Sequence, residues 1–369
     1  MRRSRGVFLA SALVVATLLA TAFVGLDPTR MTAASAQTAG ASPLRVRSHR
    51  LVDAEGQDVI LHGVNRMGSE YMCAQGRGIF DGPTDQTSID AMKGWGVNAV
   101  RIPLNEHCWL GINGVLPAFG GTAYRDAIVA YADALVAHGL YVILDLHWSG
   151  PGDVLALAAP PMPDADHSVA FWSDVARTFA GNDAVIFELF NEPDPDTNRD
   201  TAAAWTCWRD GGACDGVPYT AVGMNALVRA VRGAGATNVI ALTGVQWGNT
   251  LSHWLEYAPS DDNLVASWHT YNWAWCTTVA CYETNIGSLT DDVPVIASEI
   301  GSDDCDATWM GELMDWLDHH RLGYLAWTWS TWLASSCEAS GLILDYDGTP
   351  SPYGEIYRDH LYALPKRLR

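Results

Sequence analysis

VIFELFNEPD, Val185–Asp194, is the stretch whose reading decides the fold. β-Branched and aromatic residues run up to Phe190 and stop at Asn191-Glu192-Pro193. A run of this length closed by a proline fits a buried strand better than a helix. Pro193 has no N–H to give a ladder, so the strand should end there, with Asn191 and Glu192 at its carboxyl tip. In a barrel of parallel strands that tip is where chemistry sits. A lone strand-end Glu is more often simply solvated, so the rest of the chain has to decide.

Seven further runs read as strands: Val59–Val64, Ala99–Ile102, Tyr141–Leu146, Val239–Leu242, Leu264–Ser267, Val295–Ala297 and Leu325–Trp327. Amphipathic stretches separate them, among them Ser88–Trp95, Tyr124–His138, Val169–Ala180, Ala221–Gly233 and Asp306–His320. The clearest is Tyr124–His138, with Ile128, Tyr131, Ala132, Leu135 and Val136 at helical spacing. Eight strands alternating with helices predict an α/β fold, a (β/α)8 TIM barrel. A doubly wound open sheet is the rival, but no GxGxxG follows an early strand. Leu44–Val46 and Arg50–Val52, with a polar turn at Asp53–Gln57, predict a short N-terminal β-hairpin that feeds the first barrel strand.

The chain has 369 residues, 49% of them hydrophobic, enough to bury one large core. Its formal net charge is −20, and Lys93 and Lys366 are its only lysines. With no basic stripe, nucleic acid is not an expected partner. An acidic surface repels anions, so a neutral substrate fits better.

Arg2, Arg3 and Arg5 precede a mainly apolar run from Val7 to Leu26, and Ala34-Ser35-Ala36 offers small residues for cleavage. Residues 1–36 are therefore expected to be a secretory signal, with an uncleaved anchor as the alternative. No other stretch approaches the ~18 apolar residues a membrane span needs. Residues 37–43 read as a flexible tether and 44–369 as the barrel domain, expected to be a secreted monomer.

Eight cysteines, Cys73, Cys108, Cys207, Cys214, Cys276, Cys281, Cys305 and Cys337, suit disulfides in an exported protein. Zinc is the rival, but no CxxC pair or HExxH occurs, and no metal or cofactor is expected. Spacing favours Cys207–Cys214 and Cys276–Cys281 as local staples. If the other four lie in loops on the active face, Cys73–Cys108 and Cys305–Cys337 would each tie neighbouring loops.

The carboxyl ends of the strands carry Arg101, His147-Trp148, Asn191-Glu192, His269, Tyr271, Glu299 and Trp327-Thr328-Trp329. Any one of these could be a salt-bridge partner or core filler; six functional strand tips would be an odd way to build a core. Glu192 and Glu299 lie three strands apart around the ring. Glycoside hydrolysis needs such a pair, one protonated to release the leaving oxygen and one ionised to attack the anomeric carbon. Glu188 shares a face with Glu192 but should lie about 13 Å deeper at strand rise, inside the barrel. Glu106 and Asp145 are weaker competitors near the mouth.

Seven motifs carry a specific resemblance: LHGVN (Leu61–Asn65), NAVRIPL (Asn98–Leu104), LDLHW (Leu144–Trp148), LFNEP (Leu189–Pro193), SWHTYN (Ser267–Asn272), SEIG (Ser298–Gly301) and AWTWS (Ala326–Ser330). In order and spacing the chain resembles glycoside hydrolase family 5, the cellulase-type clan A barrels, from about Leu44 to the DGTPSPYG stretch at Asp347–Gly354. The resemblance implies Glu192 as acid/base and Glu299 as nucleophile. It also implies Arg101, His147, Asn191, His269, Tyr271 and a strand-eight tryptophan around them, with Trp329 preferred over Trp327. The sequence departs from the pattern at Ser298, where Gly more commonly precedes the nucleophile, and in its many loop cysteines. Arg101 and the Tyr271 hydroxyl can each stabilise an ionised Glu299, and Asn191 can reach a sugar 2-hydroxyl. Trp109, Trp148, Trp208, Trp247, Trp273, Trp275 and Trp332 lie in candidate loops and offer further sugar platforms, about half of them expected to be packing. The expectation is a secreted retaining enzyme cutting β-1,4-glucan internally on a neutral polysaccharide. A β-mannanase, an exo-acting glycosidase or a non-catalytic carbohydrate-binding barrel are the alternatives.

Overall fold

A computed structural model describes residues 40–337, 340–365 and 368. The expected signal, residues 1–36, and the start of the tether lie outside the described residues. Two short strands, β1 (Arg45–Arg47) and β2 (Arg50–Val52), pair antiparallel as the expected hairpin. The barrel strands follow: β3 (His62–Asn65), β4 (Ala99–Asn105), β5 (Tyr141–Trp148) and β6 (Val185–Glu188). After a small two-stranded excursion, β7 (Gly211–Ala213) with β8 (Thr220–Val222), come β9 (Ile240–Thr243), β10 (Leu264–Tyr271), β11 (Val295–Gly301) and β12 (Gly323–Ala326). The eight close in the order β3-β4-β5-β6-β9-β10-β11-β12 and back to β3, every pair parallel. The (β/α)8 barrel is the architecture found. Parallel strands put all eight carboxyl tips on one rim, so residues distant in sequence converge there.

Helices form where the apolar spacing predicted them. Thr122–Ala137 buries Tyr124, Ile128, Tyr131, Ala132 and Leu135 on one face. Met224–Gly233 buries Met224, Leu227, Val228 and Val231. That second helix starts later than the expected Ala221, because Ala221 and Val222 belong to β8, paired with Gly212 and Gly211. Similarly β3 starts at His62 rather than Val59, whose N–H is given to the hairpin at Leu51 O.

The barrel interior is layered. Its amino-terminal half is apolar, with Leu61, Ala99, Ile143, Ile186, Ala241, Val265, Ile296 and Leu325 clustered and Leu44 and Leu51 of the hairpin segment packed into the same cluster. Further along seven of the eight strands the inward residues turn polar: Asn65, Arg101, Asp145, Glu188, Thr243, Ser267 and Ser298, all wholly buried. Gly40–Pro43, expected as flexible tether, is instead fastened here. Ala41 N–H donates to Val136 O at 2.8 Å, and the Ser42 hydroxyl accepts from Ala54 N–H at 3.2 Å.

All eight cysteines are paired. Cys73–Cys108 ties the segment after β3 to the helix after β4, and Cys305–Cys337 ties the segments after β11 and β12. Cys207–Cys214 and Cys276–Cys281 are the local staples. All eight cysteines fall in segments that follow barrel strands. No helix among the described residues is long and apolar enough to cross a membrane.

Candidate active site

Arg101 is the pivot of the mouth. Strand alternation turns it inward from β4, where it is wholly buried. Its Nη1 donates to Glu299 Oε1 at 2.5 Å and Asn65 Oδ1 at 2.9 Å, and its Nη2 to Asn191 Oδ1 at 2.9 Å. Nη2 also lies 3.0 Å from Asp145 Oδ2, and Nε donates to Glu188 Oε2. Glu188, the last residue of β6 and wholly buried, thus sits within the barrel. It is nevertheless coupled to Glu299 through one guanidinium.

Glu299 reaches the mouth by a register shift. On β10 and β11, Trp268 faces Ala297 and the next pair is His269 with Glu299, so Ser298 is the extra residue of a bulge. Successive strand residues ordinarily face opposite ways; the bulge lets both Ser298 and Glu299 address the barrel interior. The Tyr271 hydroxyl donates to Glu299 Oε2 at 2.6 Å. Burial alone would raise the Glu299 carboxyl. His269, Arg101 and His147 outweigh it, Tyr271 adds its hydrogen bond, and the group is pulled down to about 2. Burial and the neighbouring Glu299 push the Tyr271 phenol well above its ordinary value, which keeps it a donor.

Glu192 stands across from it, more open, with 27% of its side chain exposed against 4% for Glu299. Its Oε1 lies 3.1 Å from His269 Nδ1. Donor atoms of Glu192, His269 and Glu299 all fall within 4.8 Å of one another. Among the described residues the other grouping of carboxylate and imidazole atoms this tight is Asp315, Asp318 and His360, on the two helices flanking β12.

His147 closes the opposite side. Its Nδ1 meets Asp145 Oδ2 at 2.6 Å, and its ring stacks on Trp327 at 5.4 Å and 10°. Burial would lower the imidazole and Asp145 overrides it, lifting His147 to about 9. Burial likewise pushes Asp145 up, against Arg101 and His147. With two cations in contact, we assign the ionised carboxylate. Asp145 is thereby an orienting group for His147 rather than an attacking one.

The preference for Trp329 is corrected by the structure. β12 ends at Ala326, so strand alternation does not extend to Trp329. Trp329 is fully buried, edge-on against Trp95 at 4.9 Å, and cannot meet a ligand. Trp327, partly exposed and stacked on His147, is the tryptophan at the site. Of the loop tryptophans, Trp109 and Trp208 are core, whereas Trp247, Trp273, Trp275 and Trp332 are each about half exposed (49–59%). Trp247, Trp273 and Trp275 join Glu192, His269 and Tyr271 in lining a cleft of about 680 Å³. Trp247 is fixed to the Glu192 loop by its N–H to Pro193 O and its indole to Asp194 Oδ2.

Sequence reasoning did not single out Asn65, which bridges Arg101 and the carbonyl of Ser298. Its signal was available: Asn65 closes the LHGVN motif at the tip of the first barrel strand.

The cellulase (glycosyl hydrolase family 5) family model matches residues 52–332. Endoglucanase A of Butyrivibrio fibrisolvens is 27% identical over 274 residues, 71% of this chain, and the chain spans only about half (53%) of that relative's length. A mannan endo-1,4-β-mannosidase of Streptomyces lividans is 22% identical over 89% of this chain and 76% of its own. Among solved structures, a β-glucanase of Saccharophagus degradans in complex with cellotetraose superposes with a TM-score of 0.66 at 19% identity, covering 87% of this chain and 93% of its own. With the family match covering most of the barrel, the chain belongs to glycosyl hydrolase family 5.

Proposed function

We propose that the chain is a secreted, retaining endo-β-1,4-glucanase acting on a neutral polysaccharide, with Glu299 as nucleophile and Glu192 as acid/base. The observation that carries the reading is the carboxylate pair. One oxygen of each lies within 4.8 Å of the other, in keeping with the ~5 Å of retaining enzymes and short of the ~6.5–9.5 Å that leaves room for a water in inverting ones. Their surroundings divide the work. Glu299 is buried, ionised and held by Arg101 and Tyr271. Glu192 faces the cleft.

In the first step a Glu299 oxygen bonds the anomeric carbon while Glu192 gives its proton to the departing glycosidic oxygen. In the second, Glu192 takes a proton from water, whose oxygen displaces Glu299, and the original anomeric configuration returns. Asn191 presents its Oδ1 to Arg101, which leaves the Nδ2 end as the donor for a 2-hydroxyl. Trp327 would floor the sugar at the reacting centre, and Trp247, Trp273 and Trp275 would carry sugars beyond it.

Relatives named for glucan and for mannan both match. Glucan is favoured because the axial 2-hydroxyl of mannan would require the Asn191 contact to be remade; mannan is the second reading. Secretion is supported by four disulfides. The test is a panel of hydroxyethylcellulose, mixed-linkage glucan and mannan, following viscosity against reducing ends and the anomer first formed. A steep early viscosity fall on glucan with β-anomer products is expected. Mannan beating every glucan would overturn the substrate, and first-formed α-anomer would overturn the mechanism.

A further inference from the structure

Ser298 occupies the bulge position just before Glu299 and is wholly buried. Its Oγ lies 2.7 Å from Glu188 Oε1, 2.6 Å from Ser267 Oγ and 2.9 Å from His269 Nε2. Ser267 Oγ is also hydrogen-bonded to Glu188 Oε1. His269 in turn reaches Glu192 Oε1 with Nδ1 at 3.1 Å. A continuous chain of contacts therefore runs from the barrel interior to Glu192.

Counting protons fixes its direction. Each serine hydroxyl has one hydrogen to give, and an ionised Glu188, paired with Arg101, has none. The three oxygen–oxygen contacts among Glu188, Ser267 and Ser298 thus share at most two hydrogens. If Ser298 gave its hydrogen to His269, two of those three close contacts would be lone pair against lone pair, one of them facing a carboxylate. The arrangement that fills most contacts has both serine hydrogens spent within the Glu188 cluster. Ser298 can then only accept from His269, and Nε2 must carry a hydrogen.

We propose that Ser298 is a positioning residue, anchored by Glu188 and Ser267, that locks His269 as the Nε2–H tautomer and so presents Nδ1 to Glu192 as the place where its catalytic proton is shared. The proposal rests on the reading of Glu192 as acid/base. The tautomer at one imidazole nitrogen is set by the partner of the other. With the lock in place, Nε2 keeps its hydrogen and the one proton between Nδ1 and Glu192 can rest on either atom, which keeps it at hand for the leaving oxygen. Without it, a neutral His269 could hold its single hydrogen on Nδ1 toward Glu192, favour the carboxylate and leave less of Glu192 protonated at neutral pH.

The charges facing His269 are Arg101 on β4, Glu188 at the end of β6, Glu192 beyond it, and Glu299 on β11, with the Tyr271 phenol on β10. On the β9 side its neighbours Gly248 and Asn249 are uncharged. Burial would lower this imidazole, while Glu299 and the contact with Glu192 prevail and raise it.

The experiment compares the parent, Ser298→Ala and Ser298→Thr in pH profiles of kcat/KM. One substrate is a cello-oligosaccharide; the other is a dinitrophenyl cellobioside, whose leaving group needs little protonation. Ser298→Ala should move the alkaline limb on the oligosaccharide down by about one pH unit and lower kcat/KM about tenfold at neutral pH. The dinitrophenyl substrate should lose at most about twofold. Ser298→Thr, which keeps the hydroxyl, should recover the limb. Superimposable limbs for parent and Ser298→Ala, or equal losses on both substrates, would overturn the proposal. Nitrogen-15 NMR of His269 in the unaltered protein checks the tautomer without any substitution. A neutral ring carrying hydrogen on Nδ1 would refute the lock. A parent that cleaves neither substrate would defeat the proposed function, and the NMR result would still decide the tautomer.

Discussion

Tyr271→Phe isolates one contact at the nucleophile. The phenol ring stacks on Trp273 at 5.0 Å and 17°, packing that phenylalanine can reproduce, so the substitution removes chiefly the hydroxyl. That hydroxyl donates to Glu299 Oε2 at 2.6 Å. A hydrogen bond to a charged group contributes about 1.5–3 kcal/mol. At 1.36 kcal/mol per unit, losing it should raise the nucleophile by roughly 1–2 pH units. Glu299 starts at about 2. It does not return fully to the ordinary carboxylate value, because Arg101 and the two histidines stay. The sign follows from the need for an ionised nucleophile. Its depressed value places the loss of activity far on the acid side, and removing the hydroxyl brings that loss up toward neutrality. The assay is kcat/KM on a cello-oligosaccharide across the acid range, which reports the free enzyme, with samples returned to neutral pH to confirm that the protein survived. An acid limb that does not move, or a change confined to the alkaline limb, would refute the assignment of Tyr271 to Glu299.

The two strand-eight tryptophans should separate cleanly. Trp329→Ala should cost about 3–5 kcal/mol in urea unfolding because the ring is entirely core, while Trp327→Ala should leave the unfolding midpoint close to the parent and weaken kcat/KM; the reverse pattern would restore Trp329 to the site. The disulfides should rank by the chain they close. Breaking Cys73–Cys108, 35 residues apart, should cost about 3–4 kcal/mol, against about 2 kcal/mol for Cys276–Cys281, 5 apart; equal costs in denaturant titrations would show that chain restriction is not the main term.

The barrel and its rim were legible because parallel strands make a simple geometric promise: whatever ends a strand stands on the same face. Arg101 and His269, inward residues of β4 and β10, could be read from that promise; Glu192 lies four residues past the end of β6 at Glu188, and its place at the mouth was read from Pro193 closing the run. The promise failed where the chain left regular strand geometry. β12 stops at Ala326, so alternation had no authority over Trp327 and Trp329, and the backbone of Trp329, donating to Asn65 O at 2.7 Å, belongs to a different path. The bulge at Ser298 was equally invisible, since period-two reading would have sent either Ser298 or Glu299 outward. Residues 40–43, the described end of the tether, departed from expectation for a different reason. Small residues predict mobility only when no acceptor is near, and Val136 O, 95 positions along the chain, was one that local sequence could not reveal.

Arg101 shows why the site cannot be separated from the fold. An ionised nucleophile in a buried mouth needs a countercharge that stays put, and burying a lone guanidinium would be costly without partners. The structure meets both needs at once. One fork of donors touches Asn65 on β3, Asp145 on β5, Glu188 on β6, Asn191 just past it, and Glu299 on β11. A lysine at this position would bring a single compact charge and could not span those directions together. The carboxylates that hold Arg101 outnumber it, and that excess draws His147 and His269 toward their charged forms around the mouth. The polar layer that fastens the upper barrel is therefore also the field in which Glu299 stays ionised, and Ser267 and Ser298, spent on Glu188, carry that order outward to His269 and the proton of Glu192.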